Sequence, residues 1–174
     1  MEAVLMISDV SFVSEVPDLT AFEGLLLDYY SVVLRAFEAG GGPVLAPDDL
    51  VRSSIEHLDE MLPPDGRLAL ARGHAGQLLG CGAMRRIRKD AVEMKRMFVR
   101  PEVQGLGLGR RLFEMRVEEA KNMGCRAIYV DTAKGNRSML SMYEKHGFQY
   151  IPRYPENGNP PEFEPYLVFM KYDL

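Results

Sequence analysis

The stretch VRPEVQGLGLGRRL, residues 99–112, decides the fold of this chain. A strand-like run ends here in three alternating glycines, and a helical pattern begins at once. Such a junction places several free backbone N–H groups at the positive end of a helix, and glycine lets a ligand approach them closely. The stretch therefore predicts a site for a phosphate or pyrophosphate group.

The elements on either side of this loop support that prediction. Apolar residues recur at helical spacing after it, with charged residues between them, and Gly124 provides a natural helix stop. Before it, residues 92–99 predict a strand that carries unusual charges. Charges in a central strand are costly unless they are paired or face a wet cleft. Alternation predicts four side chains on one face of this strand, namely Glu93, Lys95, Met97 and Val99.

Two common phosphate-binding motifs do not fit these glycines. The dinucleotide fingerprint G-x-G-x-x-G fails because Arg110 stands where the third glycine belongs, and the chain has no Gly-Lys-Ser/Thr tripeptide of a Walker loop. The spacing that is present is Gln-x-x-Gly-x-Gly, at Gln104, Gly107 and Gly109. It resembles the acyl-CoA signature of the GNAT superfamily, the acyl-CoA-dependent N-acetyltransferases, in which it opens the helix after the fourth strand.

A second motif follows at the expected distance. An apolar run over residues 127–132 leads to Asn136, which suits a helix start, and Gly147 suits the end of that helix. The run resembles the family's second signature, an Asn followed seven residues later by a Tyr (here Tyr143) and then by Gly-Phe. The resemblance covers roughly residues 67–150, with both motifs in order and in register.

The resemblance implies an α/β (α+β) fold with a central mixed, mostly antiparallel sheet of about seven strands, flanked by about four helices. The implied order is β-αα-βββ-α-β-α-ββ, and the length predicts one N-acetyltransferase domain over residues 1–174. The sequence pattern places strands at 5–16, 67–74, 77–86 and 92–99, from 127, from 148, and to about 172, and helices at 18–37, 47–62, 108–123 and from 136.

Composition excludes several classes of protein. Hydrophobic residues make up 47% of the chain, which argues against disorder, and the net charge of −4 argues against a nucleic-acid partner. Apolar runs are too short to span a membrane, and no leader pattern is visible. Cys81 and Cys125 predict reduced, buried thiols and a cytoplasmic protein. The three histidines lack metal-ligand spacing, so no metal is expected.

The resemblance implies acetyl-CoA as co-substrate. Backbone N–H groups of the glycine loop would hold the pyrophosphate, and the helix dipole would add about 0.3–2 kcal/mol. The edge of the preceding strand would pair with the pantetheine amides, and its N–H groups could face the developing oxyanion. The cofactor-binding residues so predicted are Met97, Phe98, Val99, Gln104, Gly105, Leu106, Gly107, Leu108, Gly109, Arg110 and Asn136.

Some of these residues have a second interpretation. Asn136 could contact pantetheine or only cap its helix. Three basic residues could pair with the 3′-phosphate or could be solvated surface charges, namely Arg110, Arg111 and Lys134. The resemblance leaves a homodimer open.

Amine acetylation needs a base, because a primary amine with a pKa near 10 is almost fully protonated at pH 7. The resemblance implies two candidate carboxylates, Glu93 on the fourth strand and Asp131 at the end of the fifth, which are rivals or partners. Glu93 could instead form a salt bridge to Lys95 or Arg96, and Asp131 could hold the turn at Asn136. Tyr143 is the implied general acid toward the coenzyme A thiolate; a buried core tyrosine is the alternative.

The acceptor is the least defined part. A proline-rich loop at residues 152–166 could form a lid over a cationic or amino-acid-like acceptor, or be a stiff surface loop, and either Tyr29 or Tyr30 could line the acceptor cleft. The expected function is transfer of an acetyl group from acetyl-CoA to a primary amine of a small molecule or peptide. The alternative is a non-catalytic acyl-CoA-binding sensor or interaction module.

Overall fold

The element order matches the predicted one. The structure, a computed structural model, describes residues 7–174. The strands are β1 (Ile7–Val13), β2 (Gly66–Gly73), β3 (Leu78–Arg88), β4 (Ala91–Val99), β5 (Ala127–Ala133), β6 (Gln149–Ile151) and β7 (Leu167–Asp173). The α-helices are α1 (Leu19–Ala39), α2 (Pro47–Glu56), α3 (Leu108–Asn122) and α4 (Arg137–Lys145). Residues 5 and 6 of the predicted first strand lie outside the described residues.

All seven strands form one sheet, in the spatial order β1-β2-β3-β4-β5-β7-β6. Only β4 and β5 run parallel; the other neighbouring pairs are antiparallel. The predicted mixed, mostly antiparallel sheet is therefore confirmed. The parallel pair requires a long crossover, which α3 supplies.

Two apolar layers hold the helices on the sheet. On one face, α1 buries Phe22, Leu25 and Leu26 against side chains of β2 and β3. On the other face, α3 packs Leu112 and Phe113 against the central strands, and the cluster that contains Phe113 also includes residues of α4. These contacts fix where α1, α3 and α4 meet the centre of the sheet. Within residues 7–174, no helix is both long and apolar enough to cross a membrane.

A bulge in β4 corrects one prediction. Cys81 pairs with Phe98 and Ala83 with Lys95, so β4 contains one more residue than β3 between these pairs. The extra residue is Arg96, with a φ of 53°. Because one inserted residue reverses the alternation, Met97 packs on the α3 face, opposite Glu93 and Lys95. The expectation that Glu93, Lys95, Met97 and Val99 share one face is wrong for this reason.

The remaining differences are small. The predicted helix at 47–62 ends at Glu56, and a short 3-10 helix, Leu58–Met61, continues the segment. Cys81 and Cys125 are both buried and free, as predicted.

Candidate active site

The site begins where the two parallel strands separate. The β4–β5 ladder extends only from Ala91 to Glu93 on β4 and from Ala127 to Tyr129 on β5. Beyond it β4 continues to Val99 with no described strand on that side. An unpaired strand edge offers N–H and C=O groups to an extended partner. The separation therefore creates a wedge with a hydrogen-bonding wall.

A cleft of about 870 Å³ fills this wedge. Its walls come from the open edge of β4, the start of α3, the end of β5, α4, and the inner side of α1. The predicted site residues that line it are Met97, Phe98, Val99, Gln104, Gly109, Asp131, Asn136 and Tyr143. Six predicted site residues are not among those that line it, namely Glu93, Gly105, Leu106, Gly107, Leu108 and Arg110. The cleft therefore brings residues from both sequence motifs together.

The glycine loop forms the entry to α3. Gly105 and Gly107 both have a φ of 80°, a left-handed conformation that residues with a Cβ rarely adopt. Gly107 is the residue before the first helical turn, and no side chain caps that end. The first N–H groups of α3 are thus left to solvent or to a ligand. An uncapped helix start beside an open strand edge fits a diphosphate followed by an amide chain.

The side chains around this loop form contacts within the protein or are exposed, whereas the backbone N–H groups at the helix start are unpaired within the described part of the chain. Gln104 donates a hydrogen bond from Nε2 to the carbonyl oxygen of Val99 at 3.0 Å, which ties the loop to the end of β4. Leu108 is buried in the core, whereas Leu106 is exposed. Arg110 is exposed and pairs with Glu114 at 2.6 Å. Arg111 and Lys134 are also exposed.

Glu93 lies buried behind the cleft, with 1% of its side chain exposed. Oε1 accepts a hydrogen bond from the Tyr154 hydroxyl at 2.5 Å, and Oε2 accepts one from Nε of Arg85 at 2.7 Å. Lys95 Nζ is 3.5 Å from Oε2. Burial alone would raise the pKa of Glu93, but Lys95, Tyr154 and Arg85 together hold that pKa below its usual value. Glu93 is thus a buried, paired carboxylate; of the two expected salt bridges it forms the one to Lys95, and Arg96 lies elsewhere.

Asp131 lies at the rim of β5 and lines the cleft. Its Oδ2 accepts hydrogen bonds from the side-chain amides of Asn157 at 2.6 Å and Asn159 at 3.1 Å. Burial and the negative charge of Glu93 raise the pKa of Asp131. A carboxylate with a raised pKa in a cleft is suited to accept a proton. Asp131 does not hold the turn at Asn136, because Asn136 caps α4 through its own side chain, which accepts from the Met139 N–H.

Tyr143 extends from α4 into the same cleft and is only 4% exposed. Burial raises the pKa of its hydroxyl to about 12, against the opposing effect of the Arg116 charge. Within residues 7–174 the hydroxyl makes no hydrogen bond. Tyr143 is therefore protonated at neutral pH, with its O–H available to a ligand in the cleft.

Several residues of the site were not predicted. Tyr154, Asn157 and Asn159 belong to the proline-rich loop, which donates hydrogen bonds to both carboxylates. The same loop also lines the cleft, through Gly158, Asn159, Pro160 and Phe163. Arg85 on β3 pairs with Glu93 because these two residues are register partners. The sequence feature that could have indicated this pairing is a strand with two consecutive arginines, Arg85 and Arg86.

The comparisons with known proteins agree with this geometry. Residues 29–148 match the family model described as the acetyltransferase (GNAT) family. This match spans more than half of the chain, so the chain belongs to the GNAT family of acetyltransferases, which are acyltransferases. The predicted resemblance is thereby confirmed.

Individual relatives give the same result. An "IAA acetyltransferase" of Azospirillum brasilense is 35% identical over 104 residues, which are 58% of this chain and 67% of that protein. A PaiA N-acetyltransferase from Thermoplasma acidophilum, solved in complex with coenzyme A, is 14% identical with a TM-score of 0.71 and covers 96% of this chain and all of its own. A GNAT acetyltransferase from Elizabethkingia anophelis with acetyl-CoA bound is 24% identical with a TM-score of 0.54, covering 70% of this chain and 84% of its own. The two solved structures share the fold.

Proposed function

We propose that residues 1–174 form one N-acetyltransferase domain, which transfers an acetyl group from acetyl-CoA to a primary amine by direct attack in a ternary complex. The acceptor is a small molecule or a peptide. One observation carries the proposal: a single cleft contains the open β4 edge, the start of α3, the carboxylate of Asp131 and the hydroxyl of Tyr143.

The coenzyme half of the cleft runs from the start of α3 to the open edge of β4. The uncapped N–H groups after Gly107 suit a diphosphate, and the unpaired edge from Met97 to Val99 suits the amides of a pantetheine chain. The two solved structures of the family that carry coenzyme A or acetyl-CoA support this use of the fold. Bound in that way, acetyl-CoA supplies an activated thioester.

Asp131 is the better candidate for the proton acceptor. It lines the cleft and its pKa is raised, whereas Glu93 is buried behind the cleft with a lowered pKa. The proton of the ammonium moves to Asp131, directly or through one water, and the freed amine attacks the thioester carbon. Glu93 is then a positioning residue, since the Tyr154 hydroxyl that it holds also accepts a hydrogen bond from Asn157, a partner of Asp131.

Tyr143 is the proposed acid. As the nitrogen–carbon bond forms and the carbon–sulfur bond breaks, its O–H donates to the departing sulfur, and the resulting tyrosinate regains a proton, through water, from the second N–H of the attacking nitrogen. The hydroxyl is free of other hydrogen bonds within the described residues, so this donation breaks no existing contact. Its pKa of about 12 means that the proton is present throughout the physiological pH range.

The alternative, a binding module without catalysis, needs only the helix start and the strand edge. Asp131 and Tyr143 in the same cleft favour catalysis. The test is the release of free thiol from acetyl-CoA in the presence of a broad panel of amines, with product mass measured in parallel. We expect at least one amine to accelerate release and to gain an acetyl group. Tight binding of acetyl-CoA without acceleration by any amine would support the binding module instead.

A further inference from the structure

The residue at the β4 bulge has an unusual conformation for its type. Arg96 has a φ of 53°, a region that costs a residue with a Cβ about 1–2 kcal/mol. Among the described residues it is the only non-glycine with a positive φ. Strain of this kind persists where surrounding contacts enforce it, and such positions concentrate at functional sites.

Two contacts hold the Arg96 side chain against helices α1 and α2. Nε donates to the Ser54 hydroxyl at 3.1 Å, and the guanidinium lies 5.7 Å from the centre of the Tyr30 ring. Ser54 is itself buried and joined to the Tyr30 hydroxyl by a hydrogen bond of 2.6 Å. The guanidinium is therefore oriented through Nε and the ring face, which leaves its two terminal nitrogens for other partners.

Arg96 differs from the other cations of the cleft in having no carboxylate partner. Arg85 pairs with Glu93 and Glu60, and Lys95 lies 3.5 Å from Glu93. Arg96 forms no ion pair with any residue in the range 7–174. An oriented guanidinium with free terminal N–H groups matches a planar carboxylate, which it can bind through two parallel hydrogen bonds.

The position of Arg96 relative to Asp131 indicates what such a carboxylate would belong to. Both residues line the cleft, and the positive charge of Arg96 lowers the pKa of the Asp131 carboxyl, against the raising effects of burial and Glu93. A ligand with its amine at Asp131 and a carboxylate at Arg96 would have each charged group opposite its complement.

We infer that the acetyl acceptor carries a carboxylate beside its primary amine, as an amino acid or another aminocarboxylic acid does, and that Arg96 binds that carboxylate. This inference rests on the proposed function and narrows its acceptor class. A polycationic amine fits less well. Among residues 7–174, two carboxylates line the cleft, and Glu60 already pairs with Arg85 at 3.2 Å. Of these two, only Asp131 is therefore available to pair with a cationic group of the acceptor.

The test compares matched pairs of amines in the thiol-release assay. Each pair contains an aminocarboxylic acid and the same compound with its carboxylate converted to a carboxamide. Hydrogen bonds to charged groups predict a kcat/KM about 10- to 100-fold higher for the acid. Equal or lower values for the acids in every pair would overturn the inference while leaving the proposed function intact. No acceleration by any amine would instead count against the proposed function.

Variants connect the preference to one side chain. Arg96→Gln is expected to raise KM for the acids about 10- to 100-fold, to change KM for the amides little, and to leave acetyl-CoA affinity unchanged. Arg96→Lys keeps the charge without the planar guanidinium, so its KM for the acids is expected to lie between those of the wild type and Arg96→Gln. Arg52→Gln removes an exposed arginine of α2 that pairs with Asp49, and it should match the wild type. Acid preference that survives in a folded Arg96→Gln protein, shown by normal acetyl-CoA binding, would refute the role of Arg96.

Discussion

The substitution Asp131→Asn separates the two carboxylates most clearly. Asn keeps the shape of the side chain and a carbonyl oxygen that still accepts from Asn157 and Asn159. It removes the proposed proton acceptor, and general-base catalysis contributes about 10²- to 10⁴-fold. We expect kcat to fall by that factor with near-normal acetyl-CoA affinity. The wild-type rate should also fall on acidification at a higher pH than an ordinary aspartate would cause, and the variant should lack that limb.

The same substitution is expected to stabilise the folded protein slightly at pH 7. Burial and the charge of Glu93 raise the pKa of Asp131 in the folded state. A raised folded pKa gives a stability contribution that is complete below the unfolded value of about 3.9 and is lost as pH rises through the folded value. At neutral pH the wild-type carboxylate is therefore an unfavourable buried charge, which Asn does not carry. The advantage of the variant should vanish in acid.

Glu93→Gln is the matched control, and it is expected to destabilise the folded protein at pH 7 rather than stabilise it. Lys95, Tyr154 and Arg85 hold the folded pKa of Glu93 below its unfolded value, so its contribution is present above a pH of about 4.3 and is lost as pH falls through the folded value. Breaking a buried ion pair costs about 3–5 kcal/mol, and we expect about 3 kcal/mol because Arg85 keeps its bridge to Glu60.

Thiol release measures kcat, and denaturant unfolding across acidic and neutral pH measures the two stabilities. The expected pattern is an inactive but stable Asp131→Asn protein beside a destabilised Glu93→Gln protein that keeps measurable turnover when folded. The reverse pattern, normal turnover in Asp131→Asn and a stable but inactive Glu93→Gln, would assign the base to Glu93 and refute the reasoning.

Three further predictions concern the acid, the loop and the fold. Tyr143→Phe should lower kcat by about 100-fold or more with near-normal acetyl-CoA affinity, and an unchanged kcat would remove Tyr143 as the acid. Gly107→Ala should weaken coenzyme A binding about 5- to 30-fold by calorimetry. A Cβ at a φ of 80° disfavours the binding conformation of the loop by about 1–2 kcal/mol, which binding must then supply. Unchanged affinity would show that binding does not depend on this loop conformation. In thermal unfolding, Gly24→Ala on the exposed side of α1 should stabilise the folded protein by about 1 kcal/mol. Gly135→Ala should destabilise it by about 1–3 kcal/mol, because the added Cβ meets the carbonyl oxygen of Ala36. Changes of the same sign for both variants would contradict the packing described.

Features of the fold that depend on neighbouring residues could be predicted from the sequence. The starts of α3 and α4 follow from Gly107 and Asn136, because helix caps are set by side chains and dihedrals within a turn. The order of the elements follows from apolar periodicity in the same way. The placement of both motifs in one cleft followed from the family resemblance rather than from spacing alone.

Features that depend on register between distant segments could not be predicted. The bulge at Arg96 is visible only when β4 is aligned with β3, and it reverses the face of every residue after it. The hydrogen bond from Tyr154 to Glu93 joins residues 61 positions apart. Both features decide which charged side chains face the cleft, so the sequence left the choice between Glu93 and Asp131 open and treated Arg96 only as a salt-bridge candidate.

The central claim is that the start of α3 holds a diphosphate while the β4 edge presents the attached thioester. Calorimetric titration of the purified protein with acetyl-CoA, and in parallel with acetylpantetheine, which has the thioester arm but no diphosphate, tests it most directly. We predict saturable binding of acetyl-CoA, much weaker binding of acetylpantetheine, and a smaller difference between them in Gly107→Ala. Failure to bind either compound, or equal binding of both, would contradict the claim.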